Sequence, residues 1–304
     1  MKPLYLSDPQ SFLHDTGNHL EIDSRVRIID ELAVSKYHLN SLPLRDGTKE
    51  ELYKIHDQSY VDWVESGYEN GVRMIISSDT ILSQGSYEVA KRAACSTKVV
   101  VEAFKSGVSK RAFLNLRPPG HHAEIITGQG FCIFNNIALM AKFAQESGYK
   151  NVLIIDFDVH HGNGTQDIFY EDDSVYYFST HEAHNYPFTG TAGEIGSGRG
   201  RGYTKNMPYE NFITDREFLK LFEALPKDFK PDIVLVSAGY DLMKDEEISS
   251  AQISFDALGK LIDLILKEYE NLPIAFLLEG GYNLESLKRS VDITLNKLCA
   301  SSFC

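Results

Sequence analysis

Cysteine, clustered positive charge and long apolar runs are all scarce in this sequence of 304 residues. The four cysteines, Cys95, Cys132, Cys299 and Cys304, show no CxxC spacing, and the chain is too long and too poor in cysteine for a disulfide scaffold. We therefore expect free thiols in a reducing compartment. No run reaches transmembrane length and no long apolar core of a signal peptide follows Met1, so we expect a cytoplasmic protein without a membrane partner.

Positive charge is too sparse for a protein whose main partner is a nucleic acid. The formal net charge is −13, and no cluster of Lys and Arg forms the basic stripe that binding to phosphates requires. An acidic protein instead attracts cationic ligands over long distances. We therefore expect no nucleic-acid partner.

The chain also lacks an internal repeat and any linker rich in Pro, Ser or charge. Apolar strands alternate with helices over the whole length, a pattern typical of a parallel sheet covered by helices. The sequence predicts one α/β domain over residues 1–304, with a mostly parallel central sheet flanked by helices. The predicted strands are 4–6, 112–116, 152–155, 174–179, 233–237 and 274–278. The predicted helices are 24–33, 49–55, 86–104, 135–145, 215–224, 255–269 and 284–298.

Polar side chains follow four of these strands at the point where each strand ends. The densest cluster lies in segment 155–164, IDFDVHHGNG, where Asp158 and His160 are two residues apart. In an extended backbone they point to the same side, together with Asp156, and can hold one ion. The other clusters are the pair His121 and His122, Asp241, and Tyr282. Ligands of open α/β sheets bind at the carboxyl ends of strands, so we expect all four clusters to converge.

These side chains match the needs of zinc-assisted amide hydrolysis. A catalytic zinc takes three protein ligands and keeps one position for water, and Asp241 is the best third ligand beside Asp158 and His160. The metal lowers the pKa of its water to about 7 and polarises a carbonyl oxygen. The histidines at 121–122 then serve as base and acid, and Tyr282 donates its hydroxyl to the developing oxyanion.

Each cluster taken alone also has a purely structural interpretation. A pair of histidines often belongs to a turn in which one imidazole is hydrogen-bonded, and strand-end carboxylates such as Asp158 also cap helices. Asp241 and Tyr282 taken singly fit an N-cap and a core tyrosine. Their shared position at strand ends is the reason to prefer a catalytic site.

Five motifs occur in the order seen in zinc-dependent histone deacetylases and acetylpolyamine amidohydrolases, and the chain resembles these families over nearly its whole length. The motifs are 117–123 (RPPGHHA), 130–136 (GFCIFNN), 156–166 (DFDVHHGNGTQ), 237–241 (SAGYD) and 279–282 (EGGY). The resemblance implies the arginase/deacetylase-type fold and hydrolysis of an N-acetyl amide to acetate and a free amine. It also implies one Zn²⁺ per chain, held by Asp158, His160 and Asp241.

Roles for the residues around the metal follow from the same resemblance. His122 resembles the general base and acid, and His121 the more buried histidine that stays charged and stabilises the transition state. Asp156 and Asn163 are implied to orient these two histidines. Because Asn163 carries no charge, it stabilises a charged His122 less than an aspartate would and leaves a lower pKa. Tyr282 resembles the tyrosine that stabilises the oxyanion.

A substrate tunnel and a structural potassium site are implied in the same way. Phe131, with its neighbour Gly130, resembles one wall of an acyl-lysine tunnel, and either Tyr186 or Phe188 resembles the other wall. The residues implied for potassium are Asp156, Asp158 and His160, through their main-chain oxygens, with Ser179 and Thr180.

Two segments depart from the pattern of the relatives. Residues 19–25, HLEIDSR, stand where relatives often have His-Pro-Glu-x-Pro-Glu-Arg, so we expect a differently shaped loop around Arg25 at the substrate site. Residues 244–247, KDEE, stand where many relatives have Gly-Asp-Pro-Leu. With one residue deleted, Glu247 aligns with a gatekeeper glutamate of a polyamine-selective relative, and such a carboxylate favours a ligand with a second ammonium. A solvated acidic turn is the alternative interpretation.

The sequence thus favours a zinc-dependent deacetylase that prefers acetylpolyamines to acetyl-lysine peptides. One rival hypothesis is a non-catalytic protein that senses acetylated amines. Another is a dimanganese ureohydrolase of the same fold, which would need more bridging carboxylates than these motifs offer. The preferred acyl chain and the oligomeric state are not specified by the sequence.

Overall fold

A seven-stranded sheet, parallel throughout, forms the centre of the computed structural model, which describes residues 2–69, 74–77 and 79–301. The strands in chain order are β1 (Leu4–Ser7), β2 (Met74–Ile75), β3 (Ile81–Leu82), β4 (Arg111–Asn115), β5 (Val152–Asp156), β6 (Val175–Glu182), β7 (Thr204–Tyr209), β8 (Ile233–Ala238) and β9 (Ile274–Leu278). The order across the sheet is β1-β4-β9-β8-β5-β6-β7, while β2 and β3 pair only with each other. The predicted α/β fold with a mostly parallel sheet is confirmed.

Helices cover both faces of the sheet. They are α1 (Ser24–Ser35), α2 (Lys49–Leu52), α3 (Gln58–Glu69), α4 (Ser86–Lys105), α5 (Asn136–Glu146), α6 (Asn163–Phe169), α7 (Asp215–Leu221), α8 (Phe255–Glu268) and α9 (Leu284–Ser301). Local signals begin several of them. The carboxylate of Glu51 accepts the Thr48 N–H at 3.1 Å, as the Thr-x-x-Glu pattern predicts, and Asn135 caps α5 by accepting the Ala138 N–H.

Alternate residues of each central strand belong to two separate hydrophobic cores. In β5, Leu153 and Ile155 pack into the core beneath α1, α8 and α9, while Val152 and Ile154 pack into the core beneath α4 and α5. This follows from the two-residue period of a strand. Both faces are covered, which explains why the central strands are continuous apolar runs in the sequence.

Most predicted elements lie within a few residues of the observed ones, and the differences have local causes. The predicted helix over 215–224 ends as an α-helix at Leu221 and continues as a 3₁₀ turn, Phe222–Ala224, and the helix predicted over 49–55 ends at Leu52. Strand β7 was not predicted, because only half of TKNMPY is buried and it contains a proline. Helices α3 and α6 were not predicted either.

Three of the four cysteines lie in the described part of the chain, and none of the three forms a disulfide. Cys95 and Cys132 are buried, Cys299 is partly buried, and Cys304 lies outside the described residues. The prediction of free thiols is confirmed for these three. Within the same described residues, no helix is long and apolar enough to cross a lipid bilayer.

The sheet order places the polar clusters side by side. Strands β4, β9, β8 and β5 are consecutive neighbours in the sheet, and each is followed by one of the four predicted clusters. Because all four strands are parallel, their carboxyl ends meet at one edge. The predicted convergence is confirmed.

Candidate active site

Three potential metal ligands converge at the ends of β5 and β8. Ligand atoms of Asp158, His160 and Asp241 all lie within 4.8 Å of one another. His160 Nδ1 is 3.1 Å from Asp158 Oδ1 and 3.2 Å from Asp241 Oδ2. The main chain supports the carboxylates, since Gly280 N–H donates to Asp158 Oδ2 at 2.9 Å and Val159 N–H donates to Asp241 Oδ1 at 3.1 Å.

This triad fits a divalent cation. Asp241 Oδ2 is buried with His160 Nδ1 near it, at 3.2 Å, and burial with the charge of Asp158 raises the pKa of Asp241. Two buried carboxylates close to each other are costly, and a cation between them removes that cost. A Cβ at Gly280 would collide with Asp241 Oδ2 and lie 2.7 Å from Asp158 Oδ2, so glycine leaves these oxygens room. Two carboxylates and one imidazole form a donor set that zinc accepts.

The adjacent histidines of the RPPGHHA motif have opposite electrostatic surroundings. Their ring centroids are 4.0 Å apart. Burial opposes a charge on His121, but the carboxylates of Asp158 and Asp156 outweigh it and raise the pKa of His121 to about 10. Burial and the charge of His121 hold the pKa of His122 well below its usual value. Opposite pKa shifts of two neighbouring groups allow one to act as an acid and the other as a base.

Each histidine has its own hydrogen-bond partner at Nδ1. His121 Nδ1 lies 3.1 Å from Asp156 Oδ2, and His122 Nδ1 lies 2.7 Å from Asn163 Oδ1. Asp156 also accepts the Tyr177 hydroxyl at 3.0 Å. The structure therefore places Asp156 and Asn163 where the resemblance implied, one behind each histidine.

Behind the same histidines lies Glu279, a buried carboxyl that sequence reasoning treated only as part of a motif. Its Oε2 accepts the N–H groups of Gly120 and His121, and its Oε1 accepts the hydroxyl of Ser237. Burial raises the pKa of Glu279 to about 7. This residue holds the RPPGHHA segment against the end of β9. The sequence signal that could have identified Glu279 is a carboxylate directly after a buried strand.

Tyr282 is held on both sides by buried charged residues. The Arg25 guanidinium carbon lies 4.8 Å from the Tyr282 ring centroid, and Glu246 Oε1 accepts the Tyr282 N–H at 2.9 Å. Burial raises the pKa of Tyr282 well above its usual value, so the hydroxyl remains a donor. The Phe131 ring packs edge-on at 5.6 Å from the Tyr282 ring.

The position of Arg25 corrects the expectation that it lies in a substrate-binding loop. Its side chain is 0% exposed, with Nε donating to the Gly281 carbonyl at 2.7 Å and Nη2 donating to the Glu279 carbonyl. Nη1 pairs with the buried carboxylate of Glu21. Arg25 therefore supports the main chain before Tyr282 from beneath and does not face a substrate.

The rim of the site is formed by aromatic residues and one glycine. Tyr186 packs edge-on to His122, with centroids 5.2 Å apart, whereas Phe188 is 77% exposed. Of the two alternatives for the second tunnel wall, Tyr186 therefore lies at the site. Gly130 has a φ of 54°, and a Cβ there would collide with the His122 ring and lie 3.0 Å from Tyr186.

Two rim residues were missed from the sequence. Asp79 Oδ1 accepts the Gly130 N–H at 3.1 Å, and Thr80 Oγ1 accepts the Phe131 N–H at 2.9 Å. They fix the main chain of Gly130 and Phe131 from a segment 51 residues earlier in the chain. No local pattern marks them, because they precede a strand of only two residues.

Of the two consecutive glutamates after β8, Glu246 reaches the site and Glu247 does not. Glu246 is 9% exposed and binds the N–H groups of Tyr282 and Asn283, whereas Glu247 is exposed. Burial and the charge of Asp241 raise the pKa of Glu246 to about 7. Glu247 lines an open depression that also contains Glu182 and Asn185.

The residues implied for potassium lie at the end of β5, just after it, and on the neighbouring strand β6. Asp156 is the register partner of Ser179 across β5 and β6. Ser179 Oγ is 2.8 Å from His181 Nδ1, and Thr180 Oγ1 is buried with no partner among the residues that the structure describes. This hydroxyl is the one side-chain oxygen of the group that still lacks an interaction.

A candidate cation site beside two histidines with oppositely shifted pKa values, at the carboxyl edge of a parallel sheet, is the arrangement typical of a metal-dependent hydrolase. A family model described as the histone deacetylase domain matches residues 19–298. Histone deacetylase 14, chloroplastic, of Arabidopsis thaliana is 35% identical over 91% of this chain and 72% of its own length. A probable deacetylase of Archaeoglobus fulgidus is 34% identical over 78% of this chain and 67% of its own length.

A solved structure also matches this chain over nearly its whole length. The crystal structure of the HDA15 HD domain matches with a TM-score of 0.91 and 32% identity, covering 97% of this chain and 90% of that one. The chain therefore belongs to the histone deacetylase family, whose members are zinc-dependent. The expected deacetylase-type fold is confirmed, and the protein is a deacetylase, a hydrolase of amide bonds.

Proposed function

We propose that this deacetylase removes acetyl groups from N-acetylated amines, with one Zn²⁺ per chain held by Asp158, His160 and Asp241. The observation that carries the proposal is the split between His121 and His122, whose pKa values are shifted in opposite directions beside a triad of metal ligands. When bound, zinc supplies a Lewis acid that polarises the amide carbonyl and activates water.

The protein's own residues perform the proton transfers. The Nδ1–H of His122 donates a hydrogen bond to Asn163 Oδ1, so Nε2 is free to take a proton from the attacking water and to deliver it to the leaving amine. His121 remains charged and stabilises the negative charge that develops in the transition state. The Tyr282 hydroxyl donates to the oxyanion, and Asp156 fixes the orientation of His121.

Turnover of an acetylated amine by metal-replete protein tests this function. We expect deacetylation that a chelator abolishes and added Zn²⁺ restores, and a loss of about 10²- to 10⁴-fold in kcat for His122→Ala. Protein that binds zinc at one ion per chain but turns over no acylated amine would support the rival hypothesis of a non-catalytic sensor.

As substrate we propose acetylpolyamines ahead of acetyl-lysine peptides. The net charge of −13 attracts both, since both are cationic. The exposed Glu247 lines an open depression together with Glu182 and Asn185, the residue that precedes Tyr186 in the chain. Such a carboxylate favours a ligand that carries a second ammonium group.

The substrate proposal is tested by comparing kcat/KM for N-acetylputrescine and N8-acetylspermidine with that for an acetyl-lysine peptide. We expect the polyamines to react faster and Glu247→Leu to reduce their advantage about 10-fold, as loss of one ion-pairing group does. Glu102→Leu, which removes an exposed glutamate on α4, serves as the control for net charge. An equal or reversed preference in the unmodified protein would contradict the polyamine proposal.

We also propose a structural potassium ion bound by main-chain oxygens of Asp156, Asp158 and His160 with Ser179 and Thr180. The buried, unpartnered hydroxyl of Thr180 supports this assignment. A higher midpoint of thermal unfolding in KCl than in NaCl at equal ionic strength is the expected result.

A cytoplasmic location of the protein stays a prediction.

A further inference from the structure

We propose that Glu124 is a positioning residue that determines which ring nitrogen of His122 carries the proton. It acts through the side-chain amide of Asn163. This inference rests on the proposed role of His122 as the base. The three side chains form a chain of hydrogen bonds. His122 Nδ1 is 2.7 Å from Asn163 Oδ1, and Asn163 Nδ2 donates to Glu124 Oε1 at 2.6 Å.

The carboxylate decides which way the Asn163 amide faces. An amide carries a donor on one side and an acceptor on the other, so by itself it can pair with His122 in either orientation. An ionised carboxylate only accepts hydrogen bonds. Because Glu124 lies at hydrogen-bond distance, the NH₂ of Asn163 must face Glu124, and Oδ1 must face His122.

The amide orientation in turn selects the tautomer of His122. With Oδ1 facing the ring, His122 Nδ1 carries the proton and Nε2 presents a lone pair, as a base requires. In the reversed orientation the NH₂ would face Nδ1, and the proton would move to Nε2. His122 would then be unable to accept a proton at the reacting side. Glu124 therefore excludes the inactive tautomer.

Glu124 itself is held in place by its backbone. Its N–H donates to the Thr127 carbonyl at 2.9 Å, and its carbonyl accepts from His56 Nδ1 at 2.8 Å. His56 is buried, and its Nε2 accepts the Asn135 N–H at 3.0 Å, so Nδ1 is the protonated nitrogen. These bonds fix the main chain from which the Glu124 carboxylate reaches Asn163.

The arrangement also explains how an uncharged Asn163 serves behind a catalytic histidine. An aspartate at this position would accept from His122 in any orientation and would need no further partner. Here the carboxylate belongs to Glu124, which contacts Asn163 and not His122. Because this carboxylate only accepts hydrogen bonds, the Asn163 amide presents its oxygen to the His122 ring. The two positions are 39 residues apart in the chain, so their coupling is a product of the fold.

A double-mutant cycle over Glu124→Gln and Asn163→Asp tests the inference. In the Asn163 background, we expect Glu124→Gln to lower kcat about 10-fold with KM within about twofold, because the new amide no longer enforces one orientation. Asn163→Asp alone places two carboxylates at hydrogen-bond distance and is expected to lower kcat as well. In the double variant the new amide can donate to the new carboxylate, so Glu124→Gln should raise kcat in the Asn163→Asp background.

This reversal of sign is the decisive result, because a residue with a merely structural role would give additive losses. Glu102→Gln controls for the loss of one exposed negative charge, and the thermal unfolding midpoint shows that each variant is folded. Additive losses, or an unchanged kcat in Glu124→Gln, would overturn the inference.

A second measurement does not depend on turnover. Nitrogen-15 NMR of the histidine rings distinguishes the two neutral tautomers, and the signals of His122 are assigned by their absence in His122→Gln. We expect the Nδ1–H tautomer in the unmodified protein and a mixture in Glu124→Gln. An unchanged tautomer in the variant would contradict the inference even in an active enzyme. An inactive protein with the expected tautomer shift would contradict only the proposed function.

Discussion

At the scale of single residues, two glycines shape the site because they have no Cβ. Gly280 has no Cβ, which leaves room for the carboxylates of Asp158 and Asp241 to face each other, and its N–H supports Asp158. Gly130 allows the tunnel wall to approach the His122 ring in the same way. A single methyl group would displace a carboxylate of the candidate metal triad at Gly280 or the His122 ring at Gly130.

Gly280→Ala is therefore expected to lower the zinc content of the purified protein. Its new methyl group would collide with Asp241 Oδ2, and a displaced ligand weakens a metal site by about 10- to 100-fold. Zinc per chain after dialysis against a weak chelator is the measurement. Gly259→Ala in α8 is the matched control, because a Cβ there meets Ile293 of α9 at an ordinary 3.6 Å and should stabilise the helix by about 1 kcal/mol. Equal zinc contents in the two variants would contradict this prediction.

At the scale of elements, the loops after β8 and β9 support each other through one buried carboxyl. Glu246, between β8 and α8, binds the N–H groups of Tyr282 and Asn283 just after β9. Arg25 of α1 binds the carbonyls of Glu279 and Gly281 in the same segment. The segment that carries Tyr282 is thus fixed by donors from one side and by an acceptor from the other.

We expect Glu246→Ala to lower kcat about 10- to 100-fold with little change in KM, because an unsupported Tyr282 misplaces its hydroxyl in the transition state. Steady-state kinetics on the best acetylated amine checks this split. Asp245→Ala serves as the control, since Asp245 is exposed and contributes only its main-chain carbonyl, which accepts from the Asn283 side chain. A rise in KM at constant kcat would show that Glu246 acts on substrate binding instead.

At the scale of the whole molecule, folding buries histidines that must stay neutral. His14, His56 and His181 are all buried, and burial lowers the pKa of each to about 4. The unfolded chain binds a proton at each of these residues below about pH 6.5, whereas the folded protein does not. Each therefore contributes stability that is present above about pH 6.5 and lost as the pH falls towards 4.

His56→Gln isolates one of these contributions. The free energy of unfolding of the unmodified protein should fall relative to that of the variant by about 1.4 kcal/mol per pH unit between about pH 6.5 and 4, from linkage. Other titrating groups, such as Glu246 and Glu279, are common to both proteins and cancel in the difference. Denaturant unfolding at several pH values is the measurement, and parallel curves would show that His56 does not titrate on unfolding.

Several features of this protein could be predicted because their causes are local. Continuous apolar runs and helix caps are set by neighbouring residues, so five of the observed strands of the central sheet, besides the short β1, were placed within a few residues. The triad Asp158, His160 and Asp241 was identified because polar residues directly after a buried strand have few structural uses, and the motifs made the assignment specific. Strand β7 escaped prediction because TKNMPY contains a proline and is only half buried, so its pairing with β6 is what makes it a strand.

The sequence by itself determined the fold class, most strands of the central sheet and a candidate metal triad, because short-range periodicity and motif spacing carry that information. Only the tertiary structure decided which residues touch across long separations. It buried Arg25 against the Gly281 carbonyl, 256 residues away, and it turned Glu246 rather than Glu247 inward. It also placed Glu124 behind Asn163. Such contacts depend on strand order and loop packing, which no local pattern encodes.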